Sequence, residues 1–389
     1  MQTRLAAAQR SVVSGTSRAR LSVRAQAMAA PTTAAAAAKI PVEQVRARAK
    51  AAVLGAIVAD AATMPLHWIY DIEKINSLLA QAGRTAANPE FYPTPSCPFY
   101  NQDPMVKQHV LGGNSPYGDE LFPLATSMMA KGGLDPVAYG EAIVEFFNAH
   151  PAYRNASIRK VLELAGEGKK GTELGHPEDF QANCFAKVPL LVARYAGKPE
   201  LLAQVEAAIR VQQNNDKAVA YGSAAARILE RVVLGSSLDE ALQWAASADS
   251  GIPQEAATLV AAALATRTKP LTELTFTPAP YMADMMNKAM SIKDSLPPFT
   301  LAVWCNGPAC GNPAAFTNVA MAAATYGGDY VEGVRANLLA GGDNCSRSCL
   351  VGALLAAQGG LDAIPENWRS ATLRYEQYNS IADSLVAHL

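Results

Sequence analysis

The stretch Gly341-Gly342-Asp343-Asn344-Cys345-Ser346-Arg347-Ser348, followed by the apolar run Cys349-Leu350-Val351 and Leu354-Leu355, decides how this chain reads. Two adjacent glycines let the backbone turn sharply. Asp343 then stands where a helix N-cap is expected, because its carboxylate can accept from the free N–H groups of a first turn. Such a junction aims several side chains and N–H groups at one point. A well-capped buried helix is enough to account for it by composition alone.

The same helical signature extends outward. Of the 389 residues 50% are hydrophobic, 17% charged and 7% aromatic, so a sizeable core is available. Abundant alanine and few aromatics favour close-packed helices over strands. Val42 to Ala62 is apolar on one face and stops near Pro65, and Asp71 is expected to cap a helix over Ile72 to Gln81. Helical patterns then recur at about 120–131, 136–149, 155–166, 179–196, 199–213, 216–234, 238–247, 253–266, 281–293, 312–326, 329–339, 343–358 and 371–388, with Gly and Pro between them. Residues 84–117, rich in Pro, Asn, Gly and Tyr, read as a long loop. The best strand signal, Leu274-Thr275-Phe276-Thr277, is short. The spacing predicts an all-α fold, a single compact multi-helix domain over residues 41–389.

Residues 1–40 differ in composition. No acidic residue precedes Glu43, whereas Arg4, Arg10, Arg18, Arg20, Arg24 and Lys39 are basic and Ala, Ser and Thr abound. That is the composition of an organellar transit peptide, with Val23-Arg24-Ala25 resembling a chloroplast processing site and the Ala-rich tract to Ala38 serving as linker. Chloroplast is the expected compartment and mitochondrion the alternative. Without this leader the chain is acidic, which offers no footprint for general nucleic-acid binding. No apolar run reads as long enough to span a bilayer. The cysteines Cys97, Cys184, Cys305, Cys310, Cys345 and Cys349 form no Cys-x-x-Cys pair, so neither a zinc site nor a secreted disulfide scaffold is expected.

Two further motifs accompany the first. Gly55-Ala56-Ile57-Val58-Ala59-Asp60-Ala61-Ala62-Thr63-Met64-Pro65-Leu66-His67 closes the first long helix, and Tyr117-Gly118-Asp119-Glu120 opens the helical run Leu121 to Ala125. Together the three resemble the ADP-ribosylglycohydrolase superfamily, which carries Gly-Gly-Asp-x-Asp-Thr, Gly-Ala-x-x-Gly-Asp-Ala-x-Gly-x-Pro-x-Glu and Thr-Asp-Asp-Thr in these places. Cys345, followed by a small residue, Arg and Ser, looks like the J-crystallin and selenoprotein J branch. Weaker matches fall at Gln181 to Leu190 and at Asn214-Asn215-Asp216.

The resemblance implies hydrolysis of a glycosidic bond to ADP-ribose beside a dinuclear magnesium centre, with ADP-ribose or an ADP-ribosylated substrate as partner. It assigns Asp119, Glu120 and Asp343 to the metal, and His67, Asp119, Asp343 and Cys345 to catalysis. Asp60, Asn183, Asn344, Ser346 and Arg347 go to the substrate. Magnesium takes oxygen ligands in octahedral geometry, and several carboxylates are needed to hold two such ions. Here three expected acids have become His67, Gly118 and Cys345, so the metal site is incomplete; a thiol is too soft to compensate. Arg347, four residues after Asp343 and able to meet it on a helix, is expected to offset the remaining carboxylates, with His67, in place of a metal. His67 could act as a general base near neutral pH. Cys345 in a first helical turn beside Arg347 is expected to have a lowered pKa, and Cys349 could resolve it. Three readings therefore stand: a hydrolase with a degenerate metal site, a non-catalytic nucleotide-binding or crystallin-like structural protein, and a thiol-dependent redox protein using Cys345.

Overall fold

The computed structural model describes residues 40–94, 96, 110–150, 152–268 and 283–389. The leader, the middle of the 84–117 loop and the strand candidate at 274–277 lie outside the described residues.

Two helices apolar on every side form the centre, as fully buried helices must be. Helix α1 spans Val42–Thr63 and is buried from Ala51 to its end. A second central helix, Asn344–Gly359, is buried from Asn344 to Ala357. Around this pair stand α2 (Pro116–Lys131), α3 (Val188–Tyr195), α4 (Asp216–Val233), α5 (Tyr330–Leu339) and, beyond the central helix α6 (Asn344–Gly359), α7 (Tyr375–Val386). Helices α3 and α7 pack on α1, α4 and α5 pack on α6, and α2 touches both central helices. Further helices, among them Pro136–Ala149, Leu201–Gln212, Gln254–Ala265 and Ala314–Tyr326, complete the shell. Among the described residues there is no strand, only isolated bridges joining Ile69 to Gly342 and Gln181 to Gly311.

Small residues set the central contact. A Cβ on Gly55 of α1 would stand 2.4 Å from the Ala356 Cβ and 2.5 Å from the Gly352 carbonyl oxygen of α6. The converse holds at Gly352, where a Cβ would lie 2.3 Å from the Gly55 oxygen. Backbone therefore touches backbone. The contact runs antiparallel, so the end of α1 meets the start of α6, where Thr63 Oγ1 lies 2.8 Å from Ser348 Oγ.

The helix over Ile72–Gln81 and its Asp71 cap stand where the sequence places them, the Asp71 carboxylate accepting from the N–H groups of Glu73 (3.1 Å) and Lys74 (3.4 Å). Three differences have local causes. Helix α2 starts at Pro116 rather than near residue 120, since Ser115 caps it and proline suits a first helical position. Pro298–Asn306, outside the helical patterns read from sequence, is helical with proline at its first position. The pattern over 179–196 breaks at Lys187 into Asn183–Ala186 and α3. The membrane reading also needs correction: Val42–Leu66 is a 25-residue helical stretch long and apolar enough to cross a bilayer. The burial of its most apolar 18-residue window, 94% inside the domain, assigns that hydrophobicity to the core.

Replacing Gly352 by valine forces two helices apart along their tightest contact. The expected loss is about 3 kcal/mol of folding stability, measured as a lowered denaturation midpoint in urea; an unchanged midpoint would contradict the packing described.

Candidate functional site

Three chain segments are laced together where α1 ends and α6 begins. The first follows the Met64–Leu66 turn and carries His67, Trp68 and Ile69. The second is the Gly341-Gly342-Asp343 junction. The third is the loop after Asn306, carrying Pro308 and Cys310. Trp68 N–H donates to the Gly342 carbonyl at 2.9 Å, and Gly342 N–H donates to the Ile69 carbonyl at 2.8 Å. Asp343 N–H donates to the Pro308 carbonyl at 2.8 Å. Both glycines are required, since Gly341 and Gly342 have φ of 67° and 59°, and a Cβ on Gly342 would stand 2.5 Å from the Pro308 oxygen. Trp68 adopts φ of 59°, a conformation that a bulky residue keeps only when its surroundings impose it.

The side chains so placed converge on Asp343. Its carboxylate caps α6 by accepting from Ser346 N–H (3.3 Å), and its other oxygen accepts from the Tyr117 hydroxyl of α2 (3.0 Å). His67 Nε2 faces the first oxygen at 3.4 Å. His67 Nδ1 sits 2.9 Å from Asn344 Oδ1 and 3.2 Å from the Cys345 backbone nitrogen. Cys310 joins from the loop, interacting with Asp343 and Tyr117 while its sulfur lies 3.2 Å from Gln181 Oε1. Aromatic rings wall the group. His67 and Trp68 stack with centroids 4.5 Å apart, Trp68 meets Tyr153 edge-on at 5.1 Å, and Tyr117 stands edge-on to His67 at 5.9 Å.

Burial controls the electrostatics. Desolvation pulls His67 down to about 4, against the raising influence of Asp343 and Asn344 and with a further lowering from Arg347, so the ring is neutral at pH 7. Desolvation, reinforced by Asp343, pushes Tyr117 well above its ordinary value and keeps its hydroxyl a donor. The Cys310 thiol is likewise pushed well up by burial and by Asp343.

Residues 41–389 match the family model for ADP-ribosylglycohydrolase. This chain belongs to the ADP-ribosylglycohydrolase family. It is 29% identical over 360 residues to crystallin J1A of Tripedalia cystophora, covering 88% of this chain and 97% of the relative. It is 28% identical over 365 residues to crystallin J1B of the same animal, covering 88% and 98%. In three dimensions it resembles a solved "ADP-ribosylglycohydrolase-related protein complex" with a TM-score of 0.58 at 19% identity, covering 89% of this chain and 99% of that one, which supports the fold.

Against the ADP-ribosylglycohydrolase pattern, the structure brings His67, Asp343 and Asn344 together and gives the other expected residues different work. Asp119 pairs with Arg374 of the α7 approach at 2.9 Å. Glu120 is buried among the amides of Asn155, Asn183 (2.8 and 3.0 Å) and Gln212 (2.5 Å), and burial pushes its carboxyl up against the lowering influence of Lys187. Asn183 is therefore a partner of Glu120 rather than a wall of the Asp343 cluster. Asp60 accepts from Ser115 N–H (2.8 Å), the Ser115 hydroxyl and Asn114 Nδ2 (3.0 Å), anchoring the start of α2; burial still lifts it to about 6. Ser346 Oγ donates to the Asp343 carbonyl at 2.7 Å and stays within its own helical turn. Gly118 leaves no room for an acid, because a Cβ there would stand 2.2 Å from Asp60 Oδ2.

Two expectations about contacts are corrected: a direct pairing of Arg347 with Asp343, and a lowered pKa at Cys345. Arg347 does not reach for the Asp343 carboxylate; it is fully buried and donates to Asn337 Oδ1 (2.7 Å) and to the carbonyls of Gly341 (2.8 Å) and Pro308 (3.1 Å). Cys345 is fully buried against Thr63, 3.3 Å from its Oγ1, and desolvation together with Asp60 and Asp343 pushes its thiol well up. The helix dipole that favours a thiolate is outweighed by desolvation. Cys349, buried 3.9 Å from Asp60 Oδ1, is raised in the same way, and both cysteines are free thiols.

Tyr117 and Cys310 are the site residues the sequence reading passed over. Tyr117 stood in a family position for threonine, and its hydroxyl reaches Asp343 because α2 starts at Pro116, about four residues earlier than its periodicity suggests. Cys310 lies in Gly307-Pro308-Ala309-Cys310-Gly311-Asn312-Pro313, whose glycines and prolines mark a shaped loop.

These donors do not fit a pair of magnesium ions. Asp343 is taken by Tyr117 and the helix start, Asp119 by Arg374, and Glu120 by three amides. Among the described residues no three His, Cys, Asp or Glu side chains gather to ligate a metal.

Two consequences follow. A histidine whose folded pKa is depressed stabilises less as pH falls, because the unfolded chain binds the proton first. The His67 contribution should thus decline from about pH 6.5 toward pH 4, by on the order of 3 kcal/mol at the lower end. Acid unfolding of His67→Asn should lack that part of the slope, and parallel curves would refute it. Thiol labelling at pH 7 followed by peptide mapping should leave Cys345 and Cys349 unmodified in the native protein and modify both after unfolding; rapid native labelling of Cys345 would overturn its placement.

Proposed function

We propose that this protein recognises ADP-ribose, free or attached to a carrier, at the His67–Tyr117–Asp343 cluster, without magnesium-assisted hydrolysis. The observation that carries this reading is the occupancy of Asp343. The one acid kept from the Gly-Gly-Asp junction is held by the Tyr117 hydroxyl and faces a neutral His67. Family membership supplies ADP-ribose as the ligand class, and the partly buried rings of Trp68 and Tyr153, edge-on at 5.1 Å beside the buried cluster, offer an apolar face to a sugar. A histidine pulled to about 4 is a weak base at neutral pH, which argues against His67 activating water. A fully buried, protonated Cys345 argues against thiol redox chemistry.

Similarity to two proteins named crystallin supports a second reading, a densely packed structural protein with no ligand. Calorimetry separates the two. ADP-ribose should bind with the same affinity in EDTA and in magnesium, and Asp343→Asn should weaken it by about tenfold or more. An ADP-ribosylated substrate should release no ADP-ribose. Magnesium-dependent release would establish the hydrolase instead, and absence of binding would favour the structural protein.

A further inference from the structure

Arg347 is a fully buried cation, and among the described residues no carboxylate lies against its guanidinium as a hydrogen-bond partner. Its donors go instead to a cage of neutral oxygens. Nε reaches Asn337 Oδ1 (2.7 Å), one terminal nitrogen reaches Pro308 O (3.1 Å), and the other reaches Gly341 O (2.8 Å) and Asn337 O (3.5 Å). Asn337 lies in the last turn of α5, whose carbonyls carry the negative end of the helix dipole. Asn337 is itself locked, its amide donating to Asn344 O and to Ser348 Oγ, each at 2.9 Å.

The cage joins the parts of the candidate site. Pro308 belongs to the loop that carries Cys310, Gly341 to the turn that carries Asp343, and Asn344 holds His67. Pro308 O accepts from both Arg347 and Asp343 N–H, so one carbonyl ties the loop to the junction twice. Burial pulls the guanidinium down to about 10, which leaves it charged at neutral pH, and Asp343 is the strongest influence in the opposite direction. Its field therefore falls on the carboxylate without a direct bond consuming either group. A planar fork with five donors can bridge three chain segments; an ammonium would serve fewer, and an apolar side chain none.

We propose that Arg347 is a positioning residue, a tethered cation around which the Asp343 junction and the Cys310 loop are assembled, and that this makes the site independent of divalent ions. The ligand arm of the test rests on the ADP-ribose reading; the stability arms do not.

The test uses the full chain, wild type and with Arg347→Ala or Arg347→Lys. Magnesium in place of EDTA should leave the melting temperature of the wild type unchanged. Arg347→Ala should melt lower and bind ADP-ribose about tenfold more weakly or worse. Millimolar guanidinium, refilling the cage, should raise the melting temperature of Arg347→Ala and recover part of its affinity, whereas it should do neither for the wild type. Arg347→Lys, which keeps the charge but not the fork, should fall between the two. Should Arg347→Ala not fold alone, guanidinium should restore its helical signal. The proposal is overturned if magnesium raises the wild-type melting temperature, if guanidinium has no effect on Arg347→Ala, or if a folded Arg347→Ala binds ADP-ribose like the wild type. Should the wild type bind no ADP-ribose, the ligand reading fails, and Arg347 is judged on the two melting measurements.

Discussion

The backbone contact between Gly55 and Gly352 fixes everything that matters about the site. Because α1 and α6 run antiparallel at touching distance, the residues after α1 and the residues that open α6 must share one corner of the molecule. Thr63 against Ser348 and Cys345 marks the first turn of that meeting. The next step along each chain brings His67 to Asn344 and Asp343. Side chains larger than glycine at the crossing would move the two helix ends relative to each other, and a histidine–carboxylate contact of 3.4 Å tolerates little displacement. The central packing thus does the work of orientation that in a looser protein would fall to the site residues themselves.

Within that corner, removal from water outweighs the local electrostatic hints. A helix N-terminus and a nearby arginine both favour a thiolate at Cys345, yet burial and two carboxylates set the opposite direction. His67 shows the same order of effects, since Asp343 and Asn344 raise it and desolvation still carries it down to about 4. Burial therefore keeps His67 uncharged, the hydroxyl of Tyr117 a donor and the thiols protonated. Arg347, pulled down only to about 10, keeps its charge among carbonyl oxygens, whereas burial pushes the Glu120 carboxyl up against the opposing pull of Lys187 and the amides.

How much of this the sequence discloses depends on whether a signal is local. Helix starts are local, and Asp71 and Asp343 announce theirs through the residues that follow. The all-α architecture is a sum of such signals and was legible. A fully buried helix lacks a polar face to limit it, so α1 also satisfies the length and hydropathy of a membrane span, and only its packing distinguishes the two. The site was half legible. His67, Asp343 and Asn344 could be found by motif because the motifs sit at the helix ends that meet. The partners of Asp119, Glu120 and Asp60 are set by side chains more than thirty residues away in most cases, and no spacing rule reaches them. Tyr117 was hidden by an error of register at the start of α2, where Ser115 and Pro116 together begin a helix that apolar periodicity does not yet show.

The replacements at this junction form a connected set. Gly118 is compatible only with a glycine-sized residue because Asp60 closes the space above it, and Asp60 is there to hold Ser115. With Ser115 held, Tyr117 is carried to Asp343. With Tyr117 on one oxygen and the helix start on the other, Asp343 has few directions left for a hydrated metal, while a ligand hydroxyl, smaller and uncharged, asks for less of the carboxylate. Arg347 then supplies a positive field from below without entering the site. Restoring one carboxylate, for instance at Cys345, would add a buried charge to a space already organised around neutral donors, and the cost of that burial would exceed what a single additional ligand returns. A metal centre at this junction would have to be recovered as a whole, with Tyr117, Gly118, Cys345 and Arg347 changed together.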